Sequence, residues 1–149
     1  MKDLVEKGVY EISPEAKATL QSEFVGGFCD EAGTAATIKK TFDTYGYLSD
    51  THTAVALNVY EDYARRTGDT NKTLVVSTAN PYKFADSILS VFALPKSSDD
   101  FANLAALEKM SGLAVPPQIM ELGQKKVRFD TVCDQSEMPG VVRKFLGAE

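Results

Sequence analysis

Hydrophobic and polar positions divide the first half of the chain into helix-period stretches separated by short apolar runs. Gly8 to Ile12 (Gly-Val-Tyr-Glu-Ile) alternates with the period of a short strand. Ser13 then stands before Pro14, an N-cap followed by proline at the first helical position, and predicts a helix to near Glu23. Phe24 to Cys29 is a second apolar run, broken by Gly26 and Gly27 where a backbone could approach closely or a turn could form. Asp30 caps the next predicted helix, which carries Ala32, Ala35, Ile38, Phe42 and Tyr45 near one face and stops at Gly46. Tyr47 and Leu48 form a short link. A further helix begins near Thr51, shows a broad apolar surface from Ala54 to Tyr63, and closes at Arg65-Arg66-Thr67-Gly68.

Thr73 to Ser77 is β-branched and apolar on both faces, which predicts a buried parallel strand. A helix from Pro81 to about Ala93 follows it. The polar loop Leu94 to Asp100 caps a helix over Phe101 to Met110, and Pro116-Pro117 opens another short helical piece. Lys126 to Val132 alternates basic and apolar residues as an edge or late strand would, and Val141 to Leu146 reads as a terminal helix. Strands separated by helices predict an α/β fold, a mostly parallel sheet flanked by helices.

Composition narrows the function classes. The 149 residues suit one domain able to bury about two-thirds of its unfolded surface. A net charge of −5 opposes binding to a phosphate backbone, so no nucleic acid is expected as a partner. No apolar run approaches a bilayer span and the first residues lack a secretory signal's apolar stretch, so no membrane partner is expected and the chain reads as cytoplasmic. Cys29 and Cys133 are the only cysteines and His52 the only histidine, so no metal set is expected and both thiols read as reduced.

Candidate chemistry concentrates where the predicted strand at Thr73 to Ser77 meets the helix at Pro81. Ligands of open α/β sheets bind beyond the carboxyl ends of strands, where helix N–H groups and short polar side chains converge. Ser77, Thr78 and Asn80 occupy that junction, either as ligand-binding groups or as caps for the helix behind them. Lys83 falls in a first helical turn, where lysine is ordinarily solvated. His52 could shuttle protons or contact a phosphate, or its ring could bond a backbone group at a helix start. Asp50 reads as an N-cap rather than a general base. A hydrolase with its own nucleophile is not supported, because there is no Gly-x-Ser-x-Gly and no second histidine.

Four stretches in order resemble the C-terminal region of bacterial-type threonine synthases. They are Phe24-Val-Gly-Gly27, Gly46-Tyr-Leu-Ser-Asp-Thr-His-Thr-Ala-Val-Ala56, Val75-Val-Ser-Thr-Ala-Asn-Pro-Tyr-Lys-Phe84, and the tail around Lys125 to Phe145. The second and third are the specific ones, since that family shows Asp-Pro-His-Thr-Ala and Thr-Ala-His-Pro-x-Lys-Phe or close variants. Thr51 replaces the family's proline and Asn80 its histidine.

The resemblance implies part of the large domain of a tryptophan-synthase-like enzyme that uses pyridoxal phosphate to convert O-phosphohomoserine and water to threonine and phosphate. It implies that Thr78, or its neighbour Ser77, places a hydroxyl against the cofactor's pyridine nitrogen, with His52 and Asn80 as weaker candidates for substrate contact. The family's Schiff-base lysine and its glycine-rich phosphate loop match segments outside these 149 residues. Without them the cofactor lacks its covalent anchor and most of its charged contacts. The chain is therefore expected to be a C-terminal portion of the enzyme, to carry no catalytic residue, to hold no cofactor alone, and to need the N-terminal half as partner. The alternative is a non-catalytic binding or regulatory module that retains the fold.

Overall fold

The computed structural model describes residues 2–148, which form two compact units, residues 2–113 and residues 114–148. Eight α-helices are present and no strand is found among the described residues. In the first unit these are α1 (Lys2–Lys7), α2 (Pro14–Glu23), α3 (Glu31–Tyr45), α4 (Thr51–Thr67), α5 (Ala85–Val91), preceded by a 3-10 turn at Pro81–Phe84, and α6 (Asp100–Ser111). The second holds α7 (Pro117–Met120) and α8 (Met138–Phe145), with 3-10 turns at Glu121–Gln124 and Gln135–Glu137.

The expected α/β class is thus overturned: the chain is all-helical. Each run read as a strand remains outside any ladder. At Thr73 to Ser77, Leu74 is 86% and Val76 66% exposed, and no backbone group from 72 to 79 bonds to another backbone group among the described residues. Val9, Tyr10 and Ile12 in the first run, and Val127, Phe129 and Val132 in the last, are likewise exposed. The physical reason is that β-propensity expresses packing on a neighbouring strand rather than a backbone preference. A strand without a partner has no ladder to join.

Helices, by contrast, are fixed by local chemistry, and their ends fall where the capping residues stand. The Ser13 hydroxyl accepts from the Ala16 N–H at 3.2 Å, and the Asp30 carboxylate accepts from the Gly33 N–H at 2.7 Å. Helices α3 and α4 end on Gly46 and Gly68, whose φ values of 65° and 73° lie in the left-handed region that glycine enters without steric cost. Helix α1 was not expected; i,i+4 ion pairs link Lys2 to Glu6 and Lys7 to Asp3 along its exposed surface.

Packing of α3 on α4 and α5, and of α5 on α6, makes the core of the first unit. Ile38, Ala54, Ile88, Leu89 and Leu107 are wholly buried there, with Leu48, Tyr82 and Leu104 nearly so. Polar links pin the same helices. Asn58 Nδ2 on α4 donates to Thr37 Oγ1 on α3 at 3.1 Å, and Lys40 reaches Glu61 at 2.7 Å. Buried Asn103 on α6 donates to Asp86 Oδ1 on α5 at 2.6 Å and to the Ser97 carbonyl at 2.9 Å, and accepts from the Ser97 N–H at 2.7 Å. Such a satisfied polar group fixes the loop before α6 without an unpaired cost.

The second unit is thinly packed. Phe129 and Phe145 meet edge-on at 5.7 Å, and Asp134 and Glu137 form a capping box. Helix α8 places no buried residue.

Candidate functional site

The start of α4 and the coil before Pro81 come together around one buried carboxylate. Asp50 is 1% exposed. Its Oδ1 accepts from the His52 N–H at 2.8 Å and the Thr53 N–H at 3.2 Å, and its Oδ2 accepts a short bond from the Thr53 hydroxyl. Burial pushes the Asp50 carboxyl up, but the Thr53 hydroxyl, the two backbone N–H groups and the His52 ring together outweigh it and hold the group below the usual carboxylate range. Asp50 is therefore an ionised N-cap, as its position before Thr51 led us to expect.

From Thr53 the network runs to the coil. Thr53 Oγ1 and Ser77 Oγ lie 3.2 Å apart, the Tyr47 hydroxyl donates to Ser77 Oγ at 3.4 Å, and Ser77 Oγ is 3.4 Å from the Ala79 carbonyl. A threonine hydroxyl has one proton to give, and Asp50 receives it, so Ser77 can serve Thr53 only as donor. The Ser77 hydroxyl is thus occupied by the protein itself. Thr78 is different: it is exposed, and no hydrogen bond joins its hydroxyl to another described residue. Val75 turns inward and lines a cavity of about 320 Å³ with Tyr45, Tyr47, Thr53 and Leu57.

The remaining candidates fall in definite places. Asn80 Oδ1 accepts from the Tyr82 N–H at 3.0 Å and so caps the 3-10 turn that starts at Pro81. Lys83 is exposed, as a lysine of a first helical turn should be. His52 is largely exposed, with Nδ1 3.4 Å from Asp50 Oδ1 and its ring 5.0 Å from that of Phe84. It borders a groove of about 320 Å³ lined also by Cys29, Glu31, Thr34, Thr51 and Ser87. No group of three or more His, Cys, Asp or Glu side chains is placed to hold a metal among the described residues, and no helix there is long and apolar enough to cross a membrane.

Sequence reasoning missed Thr53 and Tyr47 as parts of this network. The signal for Thr53 was present, since a hydroxyl three residues after an Asp N-cap stands within reach of the cap carboxylate. Tyr47 could not be found that way, because its partner is thirty residues distant in sequence.

Of these residues, Tyr47, Asp50 and His52 stand just before, and Thr53, Ser77, Thr78 and Asn80 within, the span that matches a known family. The family model for threonine synthase, C-terminal, matches residues 53–142. The chain belongs to that family, a family of pyridoxal-phosphate enzymes. It is similar to threonine synthase-like 1 of Mus musculus, 30% identical over 113 residues that cover 74% of this chain and 15% of that protein. It is similar also to threonine synthase-like 1 of Homo sapiens, 32% identical over 90 residues, 60% of this chain and 12% of that protein. The Macaca fascicularis protein of the same name is 36% identical over 80 residues, 54% of this chain and 10% of that protein. The chain thus matches at most 15% of the length of these curated relatives. They are mammalian proteins, so the match defines the family without assigning the chain to its bacterial branch.

Proposed function

We propose that the chain is a C-terminal portion of a threonine synthase that converts O-phosphohomoserine and water to threonine and phosphate with pyridoxal phosphate. The observation that carries this reading is the family match over residues 53–142, which contains the Ser77-Thr78-Ala79-Asn80-Pro81 junction. Pyridoxal phosphate, when bound, supplies the electron sink for chemistry at the substrate's carbon skeleton. Thr78 is the residue of this chain that would hold its ring nitrogen, because its hydroxyl is exposed and uncommitted and could donate there. Ser77, already bonded to Tyr47 and Thr53, holds the coil in place instead.

The residues of this chain fit the ring nitrogen and nothing more of the cofactor. They contain no Ser-Phe-Lys-Asp-like segment and no Gly-x-Gly-x-x-Gly. The covalent lysine anchor and the phosphate cradle come from an N-terminal half, and the exposed Leu74 and Val76 are surface for that half to cover. Asn80 keeps its capping bond, and His52 contributes a ring at the groove mouth through which substrate can be steered.

The test is to substitute this chain for the corresponding segment of an active threonine synthase and to follow phosphate release and cofactor absorbance. The hybrid is expected to turn over, whereas the 149-residue chain with added pyridoxal phosphate is not. Thr78→Val in the hybrid should weaken cofactor retention roughly fivefold, the value of one lost hydrogen bond. Turnover by the isolated chain, or unchanged retention in the Thr78→Val hybrid, contradicts the reading. A folded hybrid without activity supports a non-catalytic module instead.

A further inference from the structure

The segment before Pro81 engages α4 through alternate residues. Val75 lines the cavity beside Leu57, and two positions further on Ser77 Oγ stands 3.2 Å from Thr53 Oγ1. Leu74, Val76 and Thr78, at the intervening positions, are exposed. Successive side chains of an extended chain point to opposite sides, so whatever holds Ser77 inward holds Thr78 outward. A slip of one residue would exchange the two hydroxyls.

The single Ser77 proton has two acceptors within reach, Thr53 Oγ1 at 3.2 Å and the Ala79 carbonyl at 3.4 Å. The first ties the segment to α4, and the second closes the chain on itself around Thr78. The choice between them is made at the buried end of the network. Asp50 is ionised and can only accept. It takes the Thr53 proton, which leaves Thr53 Oγ1 to accept from Ser77. Ser77 in turn accepts from the Tyr47 hydroxyl at 3.4 Å. The protons thus point one way, from Tyr47 through Ser77 and Thr53 to Asp50.

Two members of this relay stand on fixed backbone. Thr53 lies in the first turn of α4 and is 3% exposed. Tyr47 follows the left-handed Gly46 that ends α3 and precedes Leu48 and Ser49, both buried. Thr78 has no side-chain bond of its own among the described residues, so its aim is set through its neighbour.

We propose that Tyr47 and Thr53 are positioning residues for the cofactor contact at Thr78, keeping its hydroxyl outward by engaging that of Ser77. The proposal rests on the reading of Thr78 given above and adds the groups that aim it. Neither residue touches the cofactor.

A double-substitution cycle on cofactor retention in the hybrid enzyme tests it. Tyr47→Phe deletes one oxygen at a site 46% exposed and should leave the fold intact. It should weaken retention roughly two- to threefold, the low end for a neutral hydrogen bond. Thr53→Val should weaken retention further, and Thr53→Ser, which keeps the hydroxyl, should restore it. If Thr53→Val does not fold, Tyr47→Phe carries the test. In a Thr78→Val background Tyr47→Phe should add nothing, because it acts through that hydroxyl, whereas an independent structural loss would add. In the isotopically labelled 149-residue chain, Tyr47→Phe should lower the steady-state heteronuclear NOE of the Thr78 and Ala79 amides and leave those of α3 to α6 unchanged. Unchanged retention in Tyr47→Phe where Thr78→Val weakens it, additive losses in the double variant, or an unchanged NOE at Thr78 overturns the inference and leaves the cofactor reading standing. Unchanged retention in Thr78→Val overturns that reading and the inference with it.

Discussion

Two regions of the first unit have similar apolar content and opposite fates. Ile38, Ile88, Leu89 and Leu107, on α3, α5 and α6, are fully buried, while Leu74 and Val76 stand 86% and 66% exposed on a coil without backbone partners. The difference lies in what each region needs in order to fold. A helix satisfies its own backbone and asks only for a neighbour on one face. A strand asks for a second strand before any of its backbone is satisfied. The core helices therefore bury their apolar faces on one another, whereas the coil is tied to them by the bonds of Ser77 to Tyr47 and Thr53 and by the inward-facing Val75.

The largest effect that sharpens this contrast comes from matched truncations. Leu107→Ala should destabilise the chain by about 2–5 kcal/mol, through lost burial and the cavity left behind. Val76→Ala should change stability by less than about 0.5 kcal/mol. Denaturant unfolding of the two variants checks the pair, and comparable losses would erase the distinction between the regions.

A smaller effect is expected at the point where the regions join. Asp50→Ala removes an N-cap and leaves the Thr53 hydroxyl without its acceptor, a loss of about 2 kcal/mol. The same carboxylate gives stability a pH dependence. Its folded-state pKa is depressed, so its contribution is fully present above the unfolded value of about 4 and is lost as pH falls through the lower folded value. Asp50→Asn keeps a capping oxygen and should flatten that part of the acid limb. An acid limb identical to that of the unaltered chain would show that Asp50 is not its source.

What was legible in the sequence follows the same division. Ser13 with Pro14, Asp30 with Gly46, and Asp50 with Gly68 marked helix ends correctly, because capping is chemistry between residues a few positions apart. The runs at 8–12, 73–77 and 126–132 were read as strands from β-branched and alternating composition, which states a preference but not a partner. The site was legible to the same degree. Asp50 and Asn80 were readable as caps, whereas the tie from Ser77 to Tyr47 and Thr53, and the groove that brings Thr34 to Ser87, join positions far apart in the chain.

Amide hydrogen exchange on the isolated chain tests the central contrast most directly. The account predicts slow exchange within α3, α4, α5 and α6, and exchange close to the unprotected rate from Thr73 to Thr78. Protection of the amides of Leu74, Val75 and Val76 equal to that of the core helices would mean that this segment already has a strand partner, and would contradict it.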